Sequence, residues 1–153
     1  MPATLTHQRL EVSQIAPEAY RGFLAVEAYL AASPLPKPVR ELVKLRASQL
    51  NGCTYCVVLH ARDARKDGET EDRLASVAAW REAPWFSEQE RAALAYTEAA
   101  TVLAPGGVSD EVWDAAAAVF DQDQLTALVV AAAMINLWNR IAVPTRKEPV
   151  LSR

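Results

Sequence analysis

The chain has few of the residues that usually carry redox or metal chemistry. Its 153 residues include two cysteines and two histidines. So few cysteines argue against a disulfide-stabilised scaffold, because scaffolds of that kind need several cysteine pairs. An excess of positive charge is also missing, since the net charge is −3 and the basic residues are interspersed with acidic ones. Nucleic acid is therefore not an expected partner.

Three kinds of segment are missing as well. No apolar run approaches the roughly 20 residues that a membrane-spanning helix needs, so no membrane partner is expected. Residues 1–14 lack the apolar centre of a secretory signal, and no stretch shows the alternating pattern of a β-strand. These absences favour a cytoplasmic protein whose thiols stay reduced and serve catalysis or metal binding.

The pattern that is present is helical, and it predicts one all-α domain over residues 1–153. Apolar residues recur at helical spacing, and clusters of proline, glycine or serine separate the periodic stretches. An irregular arm is predicted at residues 1–16 and a loose polar tail at residues 145–153. About seven helices are predicted between them, at residues 17–32, 39–50, 53–66, from 70 to a break near 80, 87–103, 109–120 and 121–144.

The cysteines, Cys53 and Cys56, form a CxxC pair, and His60 follows four residues after the second. Residues three, four and seven apart share a helix face, so both thiols and the imidazole are predicted to face one small volume at the N-terminus of a central helix. The helix N-terminus favours a thiolate there, and an imidazole can accept the proton. A thiolate that attacks a peroxide becomes a sulfenic acid, which the second thiol converts to a disulfide. The pair is therefore predicted to run a thiol reductase cycle that an external dithiol resets.

Two other interpretations of the cysteine pair stay open. Cys53, Cys56 and His60 could belong to a zinc site, but tetrahedral zinc needs four ligands. The second histidine, His7, lies in the predicted arm, so a carboxylate or a second chain would have to complete the set. Alternatively, both thiols are buried and inert. A non-enzymatic metal-binding or redox-sensing module is thus the competing function.

Three polar residues outside the pair are further candidates. Glu41 lies twelve residues before Cys53, on the preceding predicted helix. If the two helices fold back on each other, its carboxylate approaches the thiols and relays protons or orients His60; otherwise it is a solvated surface charge. Asn136 and Asn139 interrupt an apolar helix. We expect them to satisfy backbone groups or a partner chain rather than to bind a substrate.

Together these residues resemble a known family. The frame ELVKLRASQLNGCTYCVVLH has the spacing E-x11-C-x2-C-x3-H. It is similar to the alkylhydroperoxidase D-like (AhpD-like) core of the carboxymuconolactone decarboxylase superfamily. The similarity covers roughly residues 39–103, and residues 135–143 resemble the end of small single-core members. It implies an all-α fold, assembly as homo-oligomeric trimers or hexamers, and the reduction of hydroperoxides.

The resemblance also implies roles for the motif residues. Cys56 is expected to attack the peroxide, with His60 as its base, Cys53 as the resolving thiol and Glu41 in the proton relay. The expected partners are a hydroperoxide substrate and an external lipoyl-type or thioredoxin-like dithiol, with no bound cofactor or metal. The chain departs from the best-known members at Tyr55, where they carry a histidine. A phenol does not take up a proton at neutral pH as an imidazole does, so the proton relay is expected to be shorter in this chain. The decarboxylase branch lacks the cysteine pair, so a lyase activity is the less favoured alternative.

Overall fold

The computed structural model describes residues 7–151, and every regular element within that range is helical. The all-α prediction is therefore confirmed. One four-residue helix, α1, adds to the predicted set, and a short 3-10 helix at Val77–Ala79 follows the fifth α-helix. The α-helices are α1 (Val12–Ile15), α2 (Pro17–Ala32), α3 (Lys37–Leu50), α4 (Thr54–Lys66), α5 (Glu71–Ser76), α6 (Glu88–Thr101), α7 (Asp110–Val119) and α8 (Gln122–Thr145).

Side-chain caps determine where the later helices begin. At α6 the Ser87 hydroxyl accepts the backbone N–H of Glu90, and the Glu90 carboxylate accepts the N–H of Ser87. Asp121 and Gln124 form the same reciprocal pair at the start of α8. Ser109 caps α7 through its hydroxyl. These starts follow from local sequence, because each cap satisfies backbone N–H groups that a helix leaves unpaired.

α8 is the central helix of the fold. It packs against α2, α3, α4, α6 and α7. Within residues 7–151 it is the one helix that is long and apolar enough to cross a membrane by length and composition. Its apolar side chains instead pack into the main hydrophobic core, as the all-round apolar pattern predicts for a core helix. The buried core residues that it contributes are Ala127, Leu128, Ala131, Ala132, Met134, Ile135 and Ala142.

The C-terminal end of α8 differs from the prediction, which ended the helix at Pro144. Pro144 lies within the last turn, and the helix continues to Thr145. A proline so close to the end costs few backbone bonds. The Thr145 hydroxyl also donates to the carbonyl oxygen of Ile141 at 2.7 Å. Arg146 then takes a left-handed backbone conformation, with φ 57°, which ends the helix.

The N-terminal arm contains a helix that the sequence did not predict. The Glu11 carboxylate accepts both the backbone N–H and the hydroxyl of Ser13, at 3.3 and 2.7 Å, and so caps α1. The backbone N–H of Arg9 donates to the carbonyl oxygen of Thr145 at 2.8 Å. The arm therefore lies against the end of α8. The first six residues of the predicted arm and the last two of the predicted tail lie outside the described residues.

Candidate active site

The turn between α3 and α4 sets the position of the cysteine pair. α3 ends at Leu50, and Gly52 takes a left-handed conformation, with φ 65°, that lets α4 pack back against α3. Cys53 is the N-cap of α4, and its sulfur accepts the backbone N–H of Cys56 at 3.4 Å. The helix therefore begins at Thr54, one residue later than predicted, because Cys53 acts as the cap.

Both thiols are buried, with Cys53 2% and Cys56 3% exposed. The hydrogen bond from the Cys56 thiol lowers the pKa of Cys53 to about 7 against the opposing effect of burial, and the Cys56 N–H and the Asn139 amide add to the lowering. The same hydrogen bond to Cys53, together with burial, raises the pKa of Cys56. The pair therefore releases its first proton near neutral pH, and in this geometry the negative charge favours Cys53.

A cavity of about 240 Å³ opens beside the pair. Cys56, Tyr55 and His60 line this cavity together with apolar side chains such as Trp138, whereas Cys53 is not among the lining residues. A small molecule that enters the cavity therefore meets Cys56. Accessibility therefore favours Cys56, which the family resemblance implies is the attacking thiol. The negative charge of the resting thiol pair favours Cys53 instead.

Asn139 and Ser48 are functional candidates whose contact with the thiols the sequence did not predict. Asn139 is 1% exposed, and its amide donates to the Ser48 hydroxyl at 3.1 Å. The amide of Asn51 donates to the side-chain oxygens of Asn136 and Asn139, each at 2.9 Å. Hydrogen bonding from Asn139 contributes to the lowered pKa of Cys53, and at Cys56 it opposes the larger effects of Cys53 and burial that raise the pKa. Asn139 is therefore satisfied by side chains at the site and not by backbone groups.

Asn136 behaves more nearly as predicted. Its amide donates to the backbone carbonyl of Ala132 at 2.8 Å and to the hydroxyl of Thr101 at 3.0 Å. The sequence signal for both asparagines was an amide in an otherwise apolar helix. Ser48 carried no such signal, because a serine five residues before Cys53 has no distinctive spacing.

Glu41 is buried, and it lies next to His60. It is 8% exposed, and its Oε2 atom lies 3.6 Å from the Nδ1 atom of His60, which is longer than a direct hydrogen bond. Burial acts to raise the pKa of Glu41, but the interaction with His60 and the charges of Lys44 and Arg40 outweigh it and hold that pKa below its usual value. Glu41 is thus a buried carboxylate held in its charged form, and not a solvated surface group.

Two lysines lie at the edges of the same cavity. The Nζ atom of Lys44 lies 3.7 Å from Oε1 of Glu41 and 3.6 Å from Oε2 of Glu27. The Nζ atom of Lys147 lies 5.0 Å from the ring centroid of Tyr55, which is a cation–π contact. Tyr55 therefore forms part of the cavity wall under a positive charge.

The arrangement supplies the parts of a thiol reaction in two groups. One is the cysteine pair at the start of α4, and the other is His60, which lines the cavity one helical turn after Cys56, together with Glu41 behind it. Among the hydrogen bonds of residues 7–151, none joins the imidazole to a thiol sulfur. Proton exchange between the two groups therefore requires a water molecule in the cavity or a side-chain rotation.

Comparisons with known proteins agree with this architecture. The model of the carboxymuconolactone decarboxylase family matches residues 17–99. The uncharacterized protein YdfG of Bacillus subtilis is 39% identical over 136 residues, which cover 89% of this chain and 92% of YdfG. The matched family segment contains α3 and α4 and so includes the cysteine pair.

Two solved structures show the same fold. Protein ATU0492 of Agrobacterium tumefaciens, a protein of unknown function that has been linked to AhpD and antioxidant defence, superposes with a TM-score of 0.91 at 36% identity, covering 95% of this chain and 100% of that one. The AhpD core of an uncharacterized peroxidase-related protein from Ralstonia eutropha superposes with a TM-score of 0.76 at 23% identity, covering 98% and 87% of the two chains. The chain therefore belongs to the carboxymuconolactone decarboxylase family, as an AhpD-like protein of that superfamily.

Proposed function

We propose that this protein is an enzyme, a thiol-dependent hydroperoxide reductase that cycles between a dithiol and a disulfide. The observation that carries the proposal is the pair of buried thiols at the start of α4, with Cys56 facing a cavity that His60 also lines. The sharing of one proton between the two sulfurs keeps a thiolate available near neutral pH. An inert pair of buried cysteines would need neither a lowered pKa nor an adjoining cavity.

The proposed cycle oxidises the pair by two electrons. Cys53 takes the shared proton, and the Cys56 thiolate attacks the outer oxygen of the hydroperoxide. The O–O bond breaks, Cys56 becomes a sulfenic acid, and the departing alkoxide takes a proton to leave as an alcohol. The Cys53 thiol then attacks the sulfenic sulfur, which forms the disulfide and releases water. An external dithiol, lipoyl-type or thioredoxin-like, reduces the disulfide by exchange.

His60 and Glu41 have the proposed role of proton relay. The imidazole can take the proton that leaves the thiol pair and deliver it to the alkoxide, through water in the cavity. The buried, charged carboxylate of Glu41 stabilises the imidazolium that forms in between. Tyr55 is proposed only as a wall of the substrate cavity.

A homo-oligomer in the reducing cytoplasm is the proposed setting. Large apolar side chains are exposed at the end of α6 and on α7, where Val102 is 63%, Leu103 69% and Trp113 41% exposed. Exposed apolar groups of this size favour a protein–protein contact. Such surfaces support the trimer or hexamer that the family resemblance implies.

Peroxide treatment tests the proposed reaction directly. We expect one equivalent of an organic hydroperoxide to remove two hydrogen atoms from the intact protein, seen by mass spectrometry, and to join Cys53 to Cys56 in one disulfide-linked peptide. With dihydrolipoamide or reduced thioredoxin present, peroxide consumption should become catalytic. A protein that keeps both thiols free under excess peroxide would contradict the proposal.

The pH dependence of thiol alkylation tests the shared proton. We expect the rate of alkylation to rise with pH and to reach half its maximum near pH 7, because the pKa of Cys53 is lowered to about 7. Peptide mapping should place the label on Cys56, which lines the cavity. The Cys53→Ser variant removes the shared proton, so its profile should move toward higher pH. A wild-type midpoint near ~8.5, the value of an ordinary cysteine, would contradict the shared-proton interpretation.

A further inference from the structure

We infer that Glu41, His60 and Asp63 form a binding site for a divalent transition-metal ion of the zinc class. One ligand atom from each residue lies within 4.8 Å of the others. Glu41 comes from α3, whereas His60 and Asp63 share a face of α4 because they are three residues apart. Neither cysteine belongs to this group, so it differs from the thiol-based zinc site that the sequence suggested as an alternative.

Two atoms of the group are buried without a hydrogen-bond partner. Among the described residues, the unpartnered buried side-chain atoms are Oε2 of Glu41 and Nδ1 of His60. Buried polar atoms without a partner are uncommon, because the hydrogen bonds that they lose to water on burial are not replaced. Glu41 as a whole is 8% exposed, so bulk water has little access to this carboxylate. An ion between the two atoms would satisfy both.

The distance between these two atoms fits a shared ion better than a direct contact. They lie 3.6 Å apart, too far for a hydrogen bond. Two ligands that each lie about 2.0–2.1 Å from one tetrahedral zinc ion are about 3.3–3.4 Å from each other. A shift of a few tenths of an ångström would therefore complete the geometry. Asp63 supplies the third ligand, and water can take the fourth position.

The charges around the group also favour a cation. Glu41 and Asp63 are carboxylates, and a neutral imidazole adds a nitrogen ligand of the kind zinc prefers. Lys44 contacts the other oxygen of Glu41, Oε1, and it is itself paired with Glu27. Arg40 is the other basic side chain whose charge acts on Glu41, and its guanidinium donates to the backbone carbonyl of Leu30 rather than to Glu41. Oε2 is therefore the oxygen of Glu41 that is left for the ion.

The consequence for the protein is a metal-dependent block of the thiol reaction. An ion held by His60 and Glu41 prevents the imidazole from accepting a proton there, because the same nitrogen and oxygen bind the metal. Zinc should therefore slow peroxide consumption with a dithiol donor, and a chelator should restore the rate. The binding itself needs no thiol chemistry, so its test is independent of the proposed reductase activity.

Calorimetric titration with Zn²⁺ alone tests the site in the full chain carrying Cys53→Ser and Cys56→Ser, which removes the thiols as ligands. We expect one equivalent to bind. Asp63→Asn in this background should weaken binding at least about tenfold, because it removes a ligand charge with little change of shape. Asp114→Asn is the matched control, since Asp114 is an exposed aspartate on α7, and it should bind zinc as the parent does. Circular dichroism verifies that each variant is helical.

Two outcomes overturn the inference. One is a folded parent that binds no stoichiometric zinc, and the other is equal affinity in the parent and Asp63→Asn. If the double serine variant does not fold, the same comparison is made in the chain with its cysteines. There Asp63→Asn should lose one equivalent of zinc relative to Asp114→Asn, and an unchanged stoichiometry and affinity would overturn the inference equally.

Discussion

Replacement of Cys56 by serine is expected to reduce peroxide consumption to the uncatalysed rate. Cys56 is the thiol that lines the cavity, and a serine hydroxyl in its place has no accessible thiolate form at neutral pH. The measurement is peroxide consumption with a dithiol donor in excess. Because the substitution exchanges one sulfur for one oxygen, the fold should persist, and circular dichroism with thermal unfolding checks this.

Comparison of Cys53→Ser with Cys56→Ser distinguishes the attacking thiol from the resolving thiol. Cys53→Ser should consume one equivalent of peroxide to form the Cys56 sulfenic acid and a second to reach the sulfinic acid, because no thiol is left to condense with the sulfenic acid, and then stop. Mass spectrometry would show the added oxygen atoms on the Cys56 peptide. The opposite pattern, a single turnover in Cys56→Ser and none in Cys53→Ser, would make Cys53 the attacking thiol, in line with the resting charge.

Replacement of His60 by alanine is expected to lower the rate of peroxide consumption at pH 7 by roughly 10²–10⁴-fold, the range that a positioned acid–base group contributes. The reason is that the thiol pair then loses the imidazole that lines its cavity. The control is His7→Ala, which changes an exposed histidine of the arm and should leave the rate unchanged. A rate within a few fold of wild type in His60→Ala would remove the imidazole from the mechanism.

Glu41→Gln separates a role in positioning from a purely structural one. The variant keeps the shape of the side chain but removes the buried negative charge that lies 3.6 Å from Nδ1 of His60. We expect a smaller loss of rate than in His60→Ala, and we expect the pH–rate profile of the variant to be shifted relative to that of wild type. A change in stability with an unaltered pH profile would indicate that Glu41 serves only the fold.

Much of the fold could be predicted because it depends on neighbours in the sequence. The capping box of Ser87 and Glu90 involves groups three residues apart, and so does the reciprocal pair at Asp121. The difference at the end of α8, where the prediction stopped the helix at Pro144, has another cause. A proline usually stops a helix, but here only one further helical residue follows it, and the hydroxyl of that residue, Thr145, donates to the carbonyl oxygen of Ile141.

At the site, too, some contacts follow from local sequence and others depend on how the helices pack. The CxxC spacing places Cys53 and Cys56 in one helical turn whatever surrounds them, so their proximity follows from four consecutive residues. The proximity of Asn139 does not, because that residue is 91 positions from Ser48, its hydrogen-bond partner. No periodicity relates positions so far apart, and only the packing of α8 against α3 brings them together.

The amino-acid sequence alone determined the all-α class, the position of the thiol helix and the family resemblance, since caps, periodicity and motif spacing act within a few residues. Only the tertiary structure decided that Glu41 is buried beside His60, that Cys56 and not Cys53 faces the cavity, and that the resting charge favours Cys53. The physical reason is that burial and electrostatic environment depend on contacts between separate helices. Those contacts form when the helices pack, and no local pattern encodes them.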